Sequence, residues 1–413
     1  MYWKKLSQVE INKRVKDALG SNLNYRKTNL LGLPASYLDE ELFYTDAPFL
    51  LDAPYLQTFI ANPNHIGYHT RDNGESEPFF NGTQALEVEL IKLCAEQILC
   101  GDEDCQDGYV ASGGTEANIQ ATWIYRNYFI KEYGATHNEI AIVYSKDSHY
   151  SMPKAANLLN IRSIILNVND NNREIIQIEL EKDVEKAKKE GIKYFILIQN
   201  MATTMFGSVD NIDLVSDYFE KLGLNYKLHV DGAFGGFIYP FANELSNFTF
   251  KNSRISSFTL DGHKMLQTPY GTGIFIIRKG FMNYVETEEA KYVHGKDFTI
   301  CGSRSGANAV SVWMTLMTYG SMGWKVKMDQ LLDRTSWLCD KLDSIGAKYY
   351  RNPFLNIITI RSESISSKLA KKYHLVADSM DTKWWKIVVM PHVKQGVLDD
   401  FVAEFKSERN LFV

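Results

Sequence analysis

Apolar positions along this chain follow two alternating rhythms. ALEVELIKLCAEQIL (85–99) repeats them at helical spacing, and from 108 to about 280 short β-branched runs alternate with helical patterns. The runs are EIAIVYS, SIILNV, YFILIQN, KLHVDG, SSFTLDG and GIFIIRK. Such alternation predicts an α/β fold with a mostly parallel central sheet flanked by helices. This large domain is expected over 61–300. Ahead of it, residues 1–60 read as an N-terminal arm, with an amphipathic helix at 8–20 and then a Pro-, Leu- and Tyr-rich extended stretch. Behind it, SGANAVSVWMTLMTYGSMGW and WKVKMDQLLDRTSWLCDKLDSIG predict connecting helices. The tail then reads strand (NIITI), helix (ISSKLAKKY), strand (LVADS), strand (WWKIVVM) and helix (GVLDDFVAEFKSE), a small C-terminal α+β domain over 301–413. No internal repeat or low-complexity segment interrupts the pattern.

Composition narrows the classes of function. With 413 residues, 45% of them hydrophobic, the chain exceeds what one core serves and can bury a large one. Lys plus Arg number 45 against 50 Asp plus Glu, a formal charge of -5, and no basic block persists, which argues against nucleic acid as a partner. The first residues lack an apolar signal core and no window reaches membrane-spanning length, so a cytoplasmic protein without a membrane partner is expected. Five cysteines without a CxxC pair indicate free thiols, neither a disulfide framework nor a zinc site, with Cys301 notable for its neighbours.

Candidate chemistry lies at the ends of the predicted strands. GYVASGGTEANIQATWIYRNYF (108–129) runs from a strand through a Gly-Gly-Thr turn into a helix. Backbone N–H groups at that helix start, Gly114 and Thr115 among them, with the Thr115 hydroxyl, would cradle a phosphate; an N-capping turn explains the same letters. It is neither a P-loop nor GxGxxG. VYSKDSHYSMPKAANLL places His149 and Ser151 after another strand, where a histidine can equally be a cap or a core group. Thr203 and Thr204 follow the strand YFILIQN, where parallel α/β sheets bind ligands. Asp231 follows KLHV, where an unpaired carboxylate would be costly. Lys264 sits in TLDGHKM, and alone it reads as a surface residue.

Their conjunction is more specific than any one of them. A phosphate cradle, a ring to stack, a carboxylate and then a lysine, all at strand ends of one sheet, match the needs of pyridoxal 5′-phosphate. The carboxylate keeps the pyridine nitrogen protonated and the lysine carries the cofactor as a Schiff base. To act as an amine that lysine must shed its proton, which burial near other cationic charge promotes.

The stretches SGGTEAN, YSKDSHYS, TTMFGSVDNI, HVDGAFGGFIYPF, DGHKM, GSRSG and WKIVVMPHV resemble the group II pyridoxal-phosphate-dependent decarboxylases of fold type I, over about 85–400. YSKDSHYS, GHKM and GSRSG are most similar to short bacterial histidine decarboxylases, and the tail IVVMPHVKQGVLDDF to archaeal-type tyrosine/aspartate decarboxylases. The resemblance implies Lys264 as the Schiff-base lysine, Asp231 as the pyridinium partner and His149 as the stacked imidazole. It implies phosphate contacts from Gly114, Thr115 and His263, and Thr204 or Thr203 near the ring hydroxyl. Ser303 of GSRSG would reach the phosphate of a neighbouring subunit, which implies a homodimer with shared sites. Tyr292, or else His294, would return a proton after CO2 leaves; a surface loop tyrosine is the plainer reading of Tyr292.

One position departs from the pattern. Where archaeal-type enzymes carry an arginine before IVVMPH, this chain has Lys386, a point charge in place of a planar fork. NHIGYHTRDNGESEPFFNGTQ (64–84) supplies candidate substrate contacts His65, Tyr68, His69 and Phe80, with Arg71 if the side chain is acidic. The expectation is an amino-acid α-decarboxylase that releases CO2 to give an amine, with histidine leading as substrate, then tyrosine, then aspartate or glutamate. An aldehyde-forming lyase or oxidative decarboxylase would use the same lysine and aspartate, although Tyr292 favours simple decarboxylation. A catalytically silent scaffold would have no use for Lys264, Asp231 and His149 together.

Overall fold

The computed structural model describes residues 7, 9–10, 29–32, 54–66, 80–288 and 296–410. Six of the predicted strand runs and one more form a seven-stranded sheet: β1 Gln106–Ala111, β2 Ile140–Ser145, β3 Arg162–Leu166, β4 Tyr194–Asn200, β5 Asn225–Gly232, β6 Ile255–Asp261 and β7 Gly273–Arg278. The spatial order is β1-β7-β6-β5-β4-β2-β3, with β7 antiparallel to both its neighbours and every other pair parallel. This is the fold of the fold type I pyridoxal-phosphate enzymes.

Central strands are buried on both faces, and their apolar runs pack on either side. In β4, Phe195 and Leu197 enter the core on one side, Ile196 and Ile198 the core on the other. Helices α1 Pro54–Ala61, α2 Asn81–Lys92, α3 Gly114–Tyr133, α4 Ser151–Leu159, α5 Gln177–Lys189, α6 Ile212–Lys221 and α7 Tyr239–Ala242 precede a long α8, Gly306–Ile345. The extended arm expected through residue 60 is corrected at α1: a proline at the first helical position has its φ already set and gives up an N–H that has no partner there anyway. Almost all of the 8–20 helix lies outside the described residues. The two predicted connecting helices are both present, run together as α8 and separated by a kink at Gly320, whose backbone is non-helical with a φ of 59°.

A second, antiparallel sheet of β8 Tyr349–Tyr350, β9 Ile357–Arg361, β10 Val376–Ala377 and β11 Trp384–Val388 carries α9 Ser367–Lys372 and α10 Gln395–Asn410 over its own core. Part of the arm docks here, since the Val388 N–H donates to the Leu31 carbonyl at 2.6 Å and the Leu31 N–H to Tyr373 at 3.2 Å. No helix among the described residues is long and apolar enough to cross a membrane.

Candidate active site

The carboxyl ends of β1, β2, β4, β5 and β6 open on one cavity of about 420 Å³. Parallel strands bring their following loops to the same edge, which is why residues far apart in sequence meet there. The lining includes Gly114, Thr115, His149, Thr203, Thr204, Asp231, His263 and Lys264, eight of the residues singled out from sequence.

After β1, Gly113 stands at the N-cap of α3 and no side chain caps the helix, so its first N–H groups face the cavity. The turn is thus the N-cap of the helix, made by backbone with no side-chain cap. Two glycines permit the approach: a Cβ on Gly114 would lie 2.9 Å from an Asp261 carboxylate oxygen, and one on Gly273 would collide with the Gly113 backbone.

Lys264 rides a tight turn, Gly262–Leu266, that follows β6. The Gly262 N–H donates to the Thr272 carbonyl at 2.8 Å, and the Thr268 and Thr272 hydroxyls meet at 2.8 Å, so the turn is tied back to β7. The Lys264 side chain is 25% exposed and its Nζ lies 3.0 Å from Asp261 Oδ2. Burial alone would depress this ammonium, but the Asp261 and Asp231 carboxylates outweigh it and leave its pKa raised. Asp261, 2% exposed, is itself pushed up by burial against the pull of Lys264 and His263. The His263 ring stacks on Tyr270 at 4.9 Å, and burial lowers its pKa.

Asp231 closes β5 and is 7% exposed. It accepts from Asn118 Nδ2 at 2.9 Å and from the Ala233 N–H at 3.1 Å. His149 accepts at Nδ1 from the Ser151 N–H at 3.2 Å, and burial lowers its pKa despite the nearby Asp231. A neutral imidazole results, its ring centroid 3.9 Å from that of Tyr150. Past β4, Thr203 spends its hydroxyl on Ser208 at 2.7 Å, which braces the turn and leaves Thr204 exposed at the cavity edge.

Lys386 projects from β11 of the small domain and donates to the Thr204 carbonyl at 3.1 Å. It is 4% exposed, and burial, with Lys264 nearby, lowers its pKa to about 8.

Other candidates lie elsewhere. His65 is fully buried and shares Glu87 with Arg304: its Nδ1 is 2.5 Å from one carboxylate oxygen while Arg304 Nη1 pairs with the other. Burial opposes the Glu87 carboxylate, but Arg304, His65 and the Val110 N–H pull it down to about 2. His65 thus braces the fold and does not line the cavity. Phe80 sits half-buried ahead of α2, also outside the cavity. Ser303 is exposed, accepts from Asn64 Nδ2 at 3.2 Å and lies outside this chain's own cavity. Tyr68, His69, Arg71, Tyr292 and His294 are outside the described residues.

Sequence reasoning missed Asp261, Asn118, Tyr150, Phe234 and Tyr270, all of which line the cavity. Asp261 stands three residues before Lys264, one helical turn away, and Asn118 lies one turn into the helix after the glycine pair; both spacings were readable.

The residues fit pyridoxal phosphate. Asp261 Oδ1 and His263 Nδ1 are buried with no partner among the described residues, an uncapped helix start offers N–H groups to an anion, and a lysine amine and a carboxylate face the same space. Residues 82–347 match the family described as the pyridoxal-dependent decarboxylase conserved domain. The chain is 48% identical over 408 residues to a tryptophan decarboxylase of Clostridium sporogenes, covering 98% of this chain and 97% of that protein. It is 33% identical over 336 residues to an L-aspartate decarboxylase of Thermococcus kodakarensis, covering 79% and 83%. A solved sphingosine-1-phosphate lyase of Burkholderia pseudomallei superposes with a TM-score of 0.80 at 16% identity, over 99% of this chain and 92% of that one, which shows the shared fold. The chain belongs to the pyridoxal-dependent decarboxylase family and is a carboxy-lyase that uses pyridoxal 5′-phosphate to decarboxylate an amino acid.

Proposed function

We propose that the substrate is an aromatic L-amino acid, tryptophan first, and that the product is its amine. The observation that carries this is the character of the cavity wall. Tyr150, Phe234 and Tyr270 line it, and among the described lining residues Lys264, committed to the cofactor, is the only lysine or arginine; Lys386 stands at its edge on the Thr204 carbonyl. An indole gains from aromatic walls, while an acidic side chain would need a second cation beside the one that meets its α-carboxylate. Similarity to a tryptophan decarboxylase over almost the whole chain supports the same choice. Histidine, first on motif resemblance, becomes the alternative.

Within the site, the Gly114 and Thr115 N–H groups, the Thr115 hydroxyl and His263 hold the cofactor phosphate. His149 would pack on the cofactor ring, Asp231 would keep the ring nitrogen protonated, Thr204 would serve the ring hydroxyl, and Lys264 would supply the amine for covalent attachment. When bound, pyridoxal phosphate supplies the electron sink that lets the bond between Cα and the carboxylate break. Lys386 meets the carboxylate through a single point charge, a looser grip than an arginine fork. Less ground-state stabilisation of the departing charge favours the transition state. Tyr292, or His294, returns the proton. Ser303, exposed and outside its own cavity, reaches the site of a second copy in a homodimer.

A screen of amino acids for CO2 release tests the reading. Tryptophan should give the highest kcat/KM, with tyrosine and phenylalanine next and histidine at least about tenfold lower, the penalty for a polar ring among apolar walls. A higher kcat/KM for histidine or aspartate would overturn it.

A further inference from the structure

Behind Asp231 runs a line of buried, hydrogen-bonded polar side chains that meets the cavity only at Asn118. The Tyr125 hydroxyl, two turns along α3 from Asn118, meets Ser257 Oγ on β6. Ser257 Oγ lies 2.6 Å from His229 Nδ1 on β5, and His229 Nε2 lies 2.9 Å from Asn118 Oδ1 and 3.1 Å from Thr259 Oγ1. Asn118 Nδ2 then reaches Asp231 Oδ2 at 2.9 Å and Ser151 Oγ at 3.0 Å. Tyr125, Ser257, Thr259 and His229 are wholly buried. His229 precedes Asp231 by two residues, so the strand period turns both toward α3.

Chemistry fixes the direction of every bond in this line. A carboxylate only accepts, so Asn118 must turn its amide NH2 to Asp231 and its carbonyl to His229. His229 must therefore carry its proton on Nε2. Burial pushes its pKa down to about 4, so the ring is neutral and Nδ1 accepts from the Ser257 hydroxyl. Ser257 in turn accepts from Tyr125, whose hydroxyl burial keeps protonated. The second Asn118 hydrogen goes to Ser151, whose hydroxyl lies 3.0 Å from His149 Nδ1. One amide thus holds both Asp231 and His149.

We propose that Tyr125, Ser257 and His229 form a positioning relay that fixes the Asn118 amide and, through it, the Asp231 carboxylate and the His149 tautomer. The relay rests on the reading of Asp231 as the partner of the cofactor ring nitrogen. None of the three touches substrate or cofactor; they act through Asn118.

Three variants of the holoenzyme test it: His229→Leu, His229→Gln and Tyr125→Phe, with Asp231→Ala as control. His229→Leu should lower kcat about tenfold with KM within about twofold, the loss of one hydrogen bond to a charged group's partner. It should also move the pH of the bound cofactor's visible spectral transition upward, because a less firmly held ring proton makes the nitrogen at the other end of the cofactor more basic. His229→Gln, with an N–H for Asn118 and an oxygen for Ser257, should restore most of both. Tyr125→Phe should give a smaller shift in the same direction, and it decides the matter if His229→Leu does not fold. Cofactor-loaded variants with unaltered kcat and spectrum, or a Gln variant no better than Leu, would overturn the relay. If Asp231→Ala also leaves the spectrum unaltered, the reading of Asp231 fails; if Asp231→Ala moves it and the relay variants do not, only the relay fails.

Discussion

Asp231 and Asp261 end adjacent parallel strands, face one cavity and are linked through Ala233, yet they are held in opposite ways. The Ala233 N–H donates to Asp231 Oδ1, and the Asp261 N–H donates to the Ala233 carbonyl at 3.2 Å. Asp231 receives neutral donors, an amide and a backbone N–H, and its charge is left to be matched by whatever enters the cavity. Asp261 already faces a cation, Lys264 at 3.0 Å, with His263 Nε2 at 3.5 Å. The contrast teaches that a buried carboxylate gets its role from the charge of its donors more than from its place in the sheet. The two lysines repeat the lesson. Lys264 beside a carboxylate has a raised pKa, while Lys386 beside a carbonyl has a lowered one.

Removing the first carboxylate should have the largest effect. Asp231→Ala should cost turnover on the order of 10³-fold or more, the scale of losing a group that acts only as the reaction proceeds, while cofactor absorbance shows that binding persists. Near-normal turnover with bound cofactor would assign the ring nitrogen to another group and erase the contrast between the two acids.

Asp261→Asn should act differently and more mildly. Without the carboxylate, the force that raises the Lys264 pKa is weakened and burial dominates, so more of the amine is unprotonated at neutral pH. Cofactor attachment to the apoprotein, followed by absorbance, should therefore run about 3- to 10-fold faster near neutrality, with its pH profile moved to lower pH. Steady-state turnover should fall by less than about tenfold. A profile that stays in place would mean that Asp261 does not hold the proton on Lys264.

Much of this arrangement was legible in the sequence because strand ends are. Lys264, Asp231, His149 and the Gly-Gly-Thr turn each follow an apolar run, and a parallel sheet leaves them a common edge. The partners of those residues were less legible. His229 reads as one polar letter in an apolar strand, and only the register of β5 against β6 shows that Ser257 lies opposite it. His65 looked like a pocket residue because its stretch stands where members of the resembled family line the substrate pocket; its pairing with Glu87 and Arg304 depends on three segments meeting, which no local period encodes. The tight turn under Lys264 was invisible for a similar reason: it is tied back through Thr272 and Thr268, which no local period encodes.

An effect of similar size, on substrate affinity in place of cofactor attachment, concerns the lysine pair. If Lys386 meets the substrate carboxylate as proposed, it does so only as an ammonium, and its contribution to substrate affinity is present below about pH 8 and lost as pH rises through that value. KM for the preferred amino acid should accordingly rise across this window, whereas Lys264 is consumed by the cofactor and imposes no such limb. Lys386→Met should raise KM about tenfold at neutral pH, as expected for one hydrogen bond to a charged group, and abolish the rise above pH 8. Lys386→Arg keeps its charge at every accessible pH, so it too should flatten the rise. It should bind more tightly but release CO2 no faster, because a fork that grips the carboxylate also stabilises the ground state that must be left. If Lys386→Met instead keeps its KM and loses kcat, the ammonium acts on the bond being broken, and the looser grip of lysine is not the reason an arginine is absent.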